Sequence, residues 1–408
     1  MISLSEAQEF VLSKVERKRA IATPIGKALG LVASGDVVSN INIPPFDNTA
    51  VDGFAVDSHA LDLITRDGAV TLTVIGTVAA GDGVSREIPQ GGTFRIMTGA
   101  RTPSNTAAVV MVEDSAEVEG DKVRLEGSLA SGSNIRRRGS DIGVGDVVVP
   151  EGTILNASHI GTLASIGLVR VPVFRRLRVG VLSTGDELKD GGEELMEGQI
   201  YDSNRYSLIA ALSQSGVEVV DLGIIGDDAD LIREALAKAA NEFDAIATSG
   251  GVSVGDFDFT KAIVQELSLG NARWMQIAIR PAKPFAFGVL NGAAFFGLPG
   301  NPVSALVSFE LLMKPALAKM AGKSRQMPQF IGAVAQYSYK RSIDGKTHYI
   351  RGVISINDDQ MTVTPLPKQS SHNLNEMSQS NCLIEVPDSE GFEAGETVRV
   401  LLNSSVWM

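Results

Sequence analysis

The sequence predicts a multidomain protein of the α/β plus β class, with a central, doubly wound, mostly parallel sheet. From residue 176 to residue 321, apolar strand-like runs alternate with helical segments, as expected for a parallel sheet that is covered on both faces. Short runs rich in β-branched residues and separated by turn residues precede and follow this region. At roughly 100–200 residues per domain, a chain of 408 residues has room for two to four domains.

The region before the central sheet is predicted to combine helix and β structure. Ser3 and Glu6 have the spacing of a capping box, which predicts an amphipathic helix over residues 3–18. Residues 44–56 are rich in turn formers and then extended, and residues 57–137 are predicted to be all-β. Asn156 is a favourable N-cap residue, so a further helix is predicted after it.

The central and C-terminal regions differ in their periodicity. Residues 326–408 return to short β runs, which predict a small β-barrel or sandwich. The predicted central strands are 176–182, 217–225, 244–250 and 293–300, the central helices are 204–215, 229–240, 259–267 and 302–321, and the C-terminal strands are 351–358, 382–386 and 396–402.

Composition excludes several classes of function. The formal net charge of -12 argues against a nucleic-acid-binding protein. The single cysteine, Cys382, cannot form an intramolecular disulfide, which suits a reducing compartment. The four histidines lack the spacing of zinc ligands, so a metal would be held by oxygen ligands, which favours magnesium. No signal peptide and no run of ~18 apolar residues is found, so we expect a cytoplasmic protein without a membrane span.

The loops after the central strands contain the candidate binding residues, because open parallel sheets bind ligands beyond the carboxyl ends of their strands. These loops are rich in glycine, hydroxyl and carboxylate groups. The candidates are Ser183, Thr184, Gly185 and Glu187 in the first loop, Asp227 in the second, Ser249, Gly250, Gly251, Ser253, Gly255 and Asp258 in the third, and Pro299, Gly300 and Asn301 in the last.

Each loop alone has a plainer explanation. A glycine-rich turn after a strand is usually only a turn, Asp227 would serve equally as a helix cap, and Asn301-Pro302 is a common helix start. The exposed N–H groups at that start would nevertheless attract an anion. Because four such loops belong to one sheet edge, binding is favoured. Neither G-x-G-x-x-G opening a helix nor the P-loop pattern occurs, which disfavours a dehydrogenase or a P-loop ATPase.

Five segments, in this order, resemble the MoeA family, which includes the molybdenum-inserting domain shared by gephyrin and its plant counterpart. The resemblance covers nearly the whole chain. The third-loop and last-loop segments are less specific alone, since they also resemble the related single-domain molybdopterin adenylyltransferases. The segments are PPFDNTAVDGFAV (44–56), RIMTGA (95–100), STGDEL (183–188), TSGGVSVGDFDFTK (248–261) and GLPGNPVSA (297–305).

The resemblance implies a molybdopterin molybdenumtransferase, which inserts molybdate into adenylylated molybdopterin, releases AMP and uses Mg²⁺. It implies an elongated homodimer and suggests a contact with a molybdopterin adenylyltransferase. The implied domains are a discontinuous N-terminal domain (1–43 and 138–174), a β-rich insertion (44–137), an α/β molybdopterin-binding domain similar to the MogA type (175–325) and a C-terminal β-barrel (326–408).

The resemblance also implies roles for individual residues. Glu187, Asp227 and Asp258 would hold the metal, since a magnesium ion held by carboxylates can polarise phosphate oxygens. Lys283, with Arg280 beside it, is the best candidate cation for an oxyanion. The remaining implied residues are Asp52, Thr98 and Asp141, which would act on the other subunit's pocket, and Arg351 and Ser371, which match less securely.

The sequence departs from the family pattern in two places. Arg280-Pro281-Ala282-Lys283-Pro284 stands where family members read K-P-G-K-P, so a turn glycine is lost. Phe54 replaces a tyrosine of the common M-D-G-Y-A. The basic run Arg136, Arg137 and Arg138 is a second candidate for guiding anions, and a solvated loop or dimer contact explains it equally well.

Three alternative functions remain at this stage. An adenylyltransferase would explain the α/β region but not the flanking regions. A non-catalytic scaffold of the gephyrin type is disfavoured because all five acidic candidates are present. A paralogue that handles tungstate or a modified pterin fits the same residues.

Overall fold

The chain begins with the helix that the capping box predicts, in a computed structural model that describes residues 1–83, 86–118, 120–250, 259–357 and 360–403. This helix is α1 (Leu4–Lys14). The Ser3 hydroxyl accepts from the Glu6 N–H, and the Glu6 carboxylate accepts from the Ser3 N–H. The helix ends at Lys14 rather than at residue 18, because Val15 adopts an extended backbone.

Short strands follow, and they are completed only when the chain returns after residue 134. The first strand pairs antiparallel with residues 170–174, so two distant segments form one small sheet. Ala33, Val37, Leu163 and Val171 lie in its core. The strands are β1 (Ala20–Pro24), β2 (Val32–Ala33), β3 (Val37–Val38) and β4 (Asn48–Thr49).

Between these segments the chain forms a six-stranded sheet in the order β8-β5-β7-β6-β10-β9. Its elements are β5 (Gly53–Val56), α2 (Ser58–Asp67), β6 (Ala69–Val78), β7 (Gly92–Ile96), β8 (Ala108–Met111), β9 (Ser115–Glu117) and β10 (Lys122–Glu126).

The prediction that residues 57–137 are all-β is wrong for α2. The Asp57 carboxylate caps this helix by accepting from the Ala60 N–H at 2.8 Å, and Gly68 ends it with a left-handed backbone (φ 82°). Ala60, Leu61 and Ile64 are buried on one face. The helix therefore has a start signal, a stop signal and an apolar face, although it is short.

The returning segment contains the predicted helix after Asn156. The Asn156 side chain accepts from the His159 N–H at 2.9 Å, which confirms the predicted cap. The elements are β11 (Ile135–Arg136), β12 (Val147–Val149), α3 (Ala157–Ser165) and β13 (Arg170–Phe174).

The central sheet has the strand order β17-β14-β18-β22-β21-β19, and its first four strands are parallel. The last two strands are antiparallel to their neighbours, so the sheet is mostly parallel, as predicted. Its region comprises β14 (Arg178–Thr184), β15 (Leu188–Lys189), β16 (Ile200–Tyr201), α4 (Asn204–Gln214), β17 (Glu218–Ile225), α5 (Ala229–Glu242), β18 (Ala245–Ser249), α6 (Phe259–Leu267), β19 (Arg273–Gln276), β20 (Ile279–Arg280), β21 (Pro284–Leu290) and β22 (Ala293–Leu298).

Both faces of the central sheet are covered, which explains why its strands read as continuous apolar runs. One face packs Val179 and Val181 against Leu208 and Leu212 of α4. The opposite face packs Leu182 and other residues against α5 and α6. Ligand access is therefore confined to the strand ends.

The predicted single helix over residues 302–321 consists of two α-helices joined by a π-helical turn, Phe309–Met313. The helices are α7 (Pro302–Ser308) and α8 (Lys314–Met320). Pro315 lacks the N–H that a regular α-helix would use at this point, which accounts for the local widening.

The C-terminal region forms a closed five-stranded barrel, as predicted, because β25 pairs with both β26 and β27. The other barrel pairings are β26–β23, β23–β29 and β29–β27. The elements are β23 (Phe330–Ala335), β24 (Tyr339–Lys340), β25 (Thr347–Asn357), β26 (Gln360–Pro365), α9 (Leu374–Ser378), β27 (Cys382–Val386), β28 (Gly391–Phe392) and β29 (Thr397–Leu402).

Within the ranges that the structure describes, none of the helices combines the length and the apolar character that a membrane crossing requires.

Candidate functional site

The carboxyl ends of the parallel strands bring the predicted loops to one edge of the central sheet, which we call the rim (residues 183–187, 226–228, 249–250 and 299–301). Ser183 is the register partner of Ser249, and Ser249 is the register partner of Leu298. Thr184 lies beside Ile225, which precedes the second loop. The described parts of all four loops therefore adjoin one another, as predicted from the strand order.

Two rim glycines are required by close contacts. A Cβ at Gly185 would lie 2.4 Å from the Glu187 carboxylate, and a Cβ at Gly250 would lie 3.0 Å from the Thr184 carbonyl oxygen. Both residues also have positive φ angles, 144° and 89°. Glycine at these positions lets the first loop fold back and lets the first and third loops approach closely.

Acidic side chains connect the first and second loops. The Asp186 carboxylate accepts from the Asp227 N–H at 3.0 Å, and both Glu187 and Asp227 are exposed. The alternative that Asp227 caps the following helix is wrong, because Asp228 caps α5 by accepting from the N–H groups of Asp230 and Leu231. The Asp227 carboxylate is therefore not needed for the helix start.

The remaining third-loop candidates, Gly251, Ser253, Gly255 and Asp258, lie outside the described residues. Among the residues that are described, no three His, Cys, Asp or Glu side chains form a group that could hold a metal ion. The magnesium site that combines Glu187, Asp227 and Asp258 therefore stays a prediction.

A cleft of about 440 Å³ lies beside the rim, between the central domain and the barrel, and it collects four of the predicted residues: Arg280, Lys283, Asn301 and Ser371. No Asp or Glu is among the described residues that line it. Its three fixed cations, together with nearby hydroxyl groups, favour an anion although the whole chain is acidic. The cations are Arg280, Lys283 and Lys346, and the hydroxyl groups belong to Ser304, Ser370 and Ser371.

The walls of this cleft, which we call the oxyanion cleft, are joined by backbone pairing across the two regions. β20 pairs parallel with β25 of the barrel and places Arg280 beside His348. On the opposite wall, the Val303 N–H at the start of α7 donates to the Ser371 carbonyl oxygen at 3.1 Å. Both the cations and the serine are therefore placed by main-chain contacts.

Arg351 supports the barrel wall of the cleft from within. Its Nη2 donates to the carbonyl oxygens of Lys368 and Ser370, and its N–H donates to the Gln369 side chain. The residue is fully buried, and its Nε and Nη1 lack a hydrogen-bond partner among the described residues. Burial lowers the pKa of Arg351, against the opposing charge of Glu376. A buried cation with unused donors favours an anion close to this wall.

The cleft cation Lys346 is held by a group of charged residues behind it. The Asp344 carboxylate accepts from the Lys346 ammonium at 3.0 Å and from Arg341 at 2.6 Å. Burial opposes ionisation of Asp344, but the hydrogen bonds and charges of Lys346 and His348 outweigh it and lower the pKa of Asp344 to about 2. His348 also contacts Asp344, yet burial lowers the pKa of His348.

The departure at Ala282 has a structural consequence. Ala282 has a φ angle of 76°, so alanine occupies a left-handed conformation that glycine adopts without steric cost. It is buried between the two cleft cations Arg280 and Lys283. The turn keeps the left-handed geometry despite the substitution.

The last loop begins α7 with Pro302 at the first helical position, as predicted, but the cap is only partly as predicted. Asn301 is the N-cap residue, yet its side chain makes no capping hydrogen bond. The Asn301 side chain instead lines the oxyanion cleft. Because Gly300 and Asn301 are adjacent, the rim and the cleft meet in this loop.

Two of the three predicted residues of the N-terminal regions contact each other. The Asp52 carboxylate accepts from the N–H and the hydroxyl of Thr98, both at 2.7 Å, and the backbone bond in particular lowers the pKa of Asp52. Asp141 is exposed. No hydrogen bond or ion pair between described residues connects these three side chains to the rim, so their action on another subunit remains a prediction.

The basic run is partly structural. The Arg137 guanidinium pairs with Asp47 at 2.7 Å, and the Arg138 N–H donates to the same carboxylate. Arg136 is exposed in β11, which pairs with β4. The charge of Arg137 is already paired and its side chain is exposed, which favours the alternative of a solvated loop over a role in guiding anions for this residue.

Several side chains at the site were missed from the sequence. Lys346, Ser304 and His372 line the cleft, and Asn204 contacts two rim loops. Asn204 follows Tyr-Asp-Ser directly at the start of a predicted helix, and this polar run could have marked it as a candidate. The other three become neighbours only through the pairing of the central domain with the barrel.

Comparison with known proteins identifies the family of each region. Residues 2–167 match the MoeA N-terminal region (domain I and II), residues 180–319 match a probable molybdopterin-binding domain, and residues 340–402 match the MoeA C-terminal region (domain IV). The chain is 40% identical over 404 residues to the molybdopterin molybdenumtransferase of Haemophilus influenzae, covering 98% of both chains. It is 35% identical to molybdopterin molybdenumtransferase 2 of Mycobacterium tuberculosis, covering 95% and 96% of the two chains.

The fold is also that of a solved structure. The molybdopterin biosynthesis moeA protein of Pyrococcus horikoshii superposes with a TM-score of 0.85 at 30% identity, covering 98% of this chain and all of the other.

Proposed function

The chain belongs to the MoeA family, and on that premise we propose that it transfers molybdenum from molybdate to adenylylated molybdopterin with release of AMP. The observation that carries the proposal is the oxyanion cleft, which contains three cations and, among the described lining residues, no carboxylate. A tetrahedral dianion fits such a lining, and the adjoining rim offers backbone N–H groups for a phosphate.

The two parts of the site have different tasks. Lys283, Arg280, Asn301 and Ser371 hold the oxyanion by charge and hydrogen bonds. The rim loops hold the pterin nucleotide through Ser183, Thr184, Gly185, Ser249 and Gly250, with Gly251, Ser253, Gly255, Pro299 and Gly300. The two thiols of the pterin form two molybdenum–sulfur bonds while one molybdate oxygen leaves as water with their protons, and water cleaves the phosphoanhydride bond to release AMP. Both substrates must therefore be oriented at once. The shared loop at Gly300 and Asn301 supports this arrangement.

Magnesium fits the donor set of the rim. Glu187 and Asp227 present exposed carboxylates on neighbouring loops, and carboxylate oxygens are hard ligands that suit this ion. Together with Asp258 they would hold the metal. A bound magnesium ion polarises phosphate oxygens and stabilises the charge of the leaving group. Asp52, Thr98 and Asp141 would act from a second subunit.

We further propose a homodimer of four-domain subunits with the domain boundaries predicted above, working in the cytoplasm and receiving the adenylylated pterin from an adenylyltransferase. Separate apolar cores support the β-rich insertion, the barrel and the rest of the N-terminal domain as domains, whereas α1 packs into the core of the α/β domain. Exposed apolar residues support self-association, and light scattering at the mass of a monomer would count against it. These residues are Leu29, Val38, Val144, Val147, Ile154 and Val169.

AMP release tests the proposed reaction. The protein is incubated with adenylylated molybdopterin and Mg²⁺, with and without molybdate, and tungstate is compared at equal concentration. We expect molybdate-dependent AMP release and formation of the molybdenum cofactor. Accumulation of adenylylated pterin from ATP and molybdopterin, without molybdate-dependent AMP release, would identify an adenylyltransferase instead.

A further inference from the structure

Asn204, at the first turn of α4, joins two loops of the rim. Its side-chain Nδ2 donates to the Ser249 hydroxyl and to the Gly300 carbonyl oxygen, each at 2.7 Å. A carbonyl oxygen can only accept, so the amide orientation follows from the Gly300 contact. Asn204 is 8% exposed, so these contacts are shielded from water.

The position of Asn204 is fixed by the next residue. The Arg205 guanidinium is 2% exposed and pairs with Asp190, Asp202 and Asp221. Burial lowers the pKa of Arg205, but the hydrogen bonds and charges of these carboxylates outweigh it and raise the pKa. Asp202 also accepts from the Arg205 N–H. The start of α4 is therefore attached to two other segments, at Asp190 and Asp221, and Asp202 braces it from within its own segment.

The Asn204 amide lies in a buried polar layer at the carboxyl ends of the central strands. Asn204 Oδ1, Ser183 Oγ and Thr248 Oγ1 are all buried without a hydrogen-bond partner among the described residues. Rotating the Asn204 amide would place Oδ1 against the Gly300 carbonyl oxygen, and two acceptors would then face each other. The observed arrangement uses both protons of Nδ2, one for each loop.

We infer that Asn204 is a positioning residue that fixes the third and last rim loops relative to each other, so that the pterin nucleotide and the oxyanion are bound in register. The inference rests on the proposed function. Ser249 belongs to the loop assigned to the pterin nucleotide, and Gly300 precedes Asn301, which lines the oxyanion cleft. Asn204 acts through the two loops, so this role requires no charged group.

Two variants separate the role of the donor from the role of the side-chain volume. Asn204→Asp keeps the shape but replaces the donor with an acceptor facing the Gly300 carbonyl oxygen. Asn204→Ala removes both contacts. Asn381→Ala is the matched control, because the Asn381 side chain also makes two backbone contacts, with the N–H and the carbonyl oxygen of Ile354, and lies in the barrel. For each full-length protein, KM for the pterin nucleotide, KM for molybdate, kcat and Tm are measured.

We expect Asn204→Asp and Asn204→Ala to raise KM for the pterin nucleotide at least about tenfold, the factor that follows from losing one strong hydrogen bond. Calorimetric titration with the pterin nucleotide should show the same loss of affinity. Asn381→Ala should lower Tm and leave both KM values unchanged.

Wild-type KM values in both Asn204 variants would overturn the inference, whatever their Tm. An effect of Asn204→Ala without an effect of Asn204→Asp would also overturn it, because volume rather than the donor would then matter. If the wild-type protein shows no molybdate-dependent AMP release, the proposed function fails and the inference fails with it. If the wild-type protein is active and both Asn204 variants have wild-type KM values, only the inference about Asn204 fails.

Discussion

The N–H of Val303 donates to the carbonyl oxygen of Ser371 at 3.1 Å, so helix α7 of the central domain begins against the wall of the barrel. β20 pairs with β25 on the other side of the same cleft. These two main-chain connections join the central domain to the barrel at the walls of the oxyanion cleft. Side chains that are distant in sequence, such as Lys283 and Ser371, thereby become neighbours.

Replacing Lys283 with methionine is expected to weaken molybdate binding. The change keeps the side-chain length and removes one cation from a cleft whose described lining contains no carboxylate. A hydrogen bond to a charged group contributes about 1.5–3 kcal/mol, so KM for molybdate should rise at least about tenfold. Lys340→Met is the matched control, because Lys340 is an exposed lysine outside the cleft. Equal KM values in the two variants would contradict the assignment of Lys283.

Replacing Asp227 with asparagine is expected to raise the magnesium concentration needed for half-maximal AMP release and to lower kcat. The substitution keeps the shape and removes a charged ligand. Asp228→Asn is the matched control, since asparagine also caps helices well and α5 should remain stable. A titration with magnesium distinguishes the two variants. If Asp228→Asn changes the magnesium requirement and Asp227→Asn does not, the metal assignment is wrong.

The stability of the protein should fall in mildly acidic solution because of His348. Burial lowers the pKa of His348, and the charges of Arg341 and Arg280 lower it further, against the opposing Asp344. Protonation therefore favours the unfolded chain. The contribution of neutral His348 to stability is complete above the unfolded pKa of about 6.5 and is lost as the pH falls through the lower folded value.

Chemical denaturation at pH 7.5, 6 and 5 tests this pH dependence. The free energy of unfolding of His348→Gln should fall less between pH 7.5 and pH 5 than that of the wild type. His59→Gln, at an exposed position on α2, is the control and should keep the wild-type slope. If the free energy of unfolding falls equally with pH in the wild type and in His348→Gln, His348 is not the source of the pH dependence.

Leu269→Asn is expected to stabilise the protein. Leu269 follows α6 with a φ angle of 53° and is 88% exposed, so it is strained and contributes little burial. The left-handed conformation costs an L-residue roughly 1–2 kcal/mol, and asparagine tolerates it better. We expect a gain of about 0.5–1 kcal/mol in the free energy of unfolding. Leu231→Asn, an exposed position inside α5, should give no gain. Destabilisation by Leu269→Asn would show that the leucine has a packing role.

Local patterns predicted most of the elements, and long-range contacts account for what was missed. The Ser3 and Asn156 caps and the four parallel strands follow from short patterns, and the structure contains them. Helix α2 was missed because its ten residues lie inside a stretch rich in β-branched residues. The sequence nevertheless contains recognisable start and stop residues for this helix, Asp57 and Gly68.

In the candidate site, too, local patterns predicted some residues, and others depend on long-range contacts. The rim follows from the rule that parallel strands end at one edge, so Ser183 and Ser249 were found without a structure. Lys346 reaches the cleft only through the pairing of β20 with β25, which joins Ile279 to Thr347, 68 positions further along the chain. No local pattern contains that information.

Binding of molybdate in the oxyanion cleft is tested most directly by the position of molybdenum in a crystal soaked with molybdate. Anomalous scattering at the molybdenum absorption edge locates the metal without assumptions about turnover. We predict a peak in the oxyanion cleft, between the Lys283 ammonium and the Ser371 hydroxyl, and loss of that peak in Lys283→Met. Ordered molybdenum elsewhere in crystals of the active protein, with none in the cleft, would contradict it.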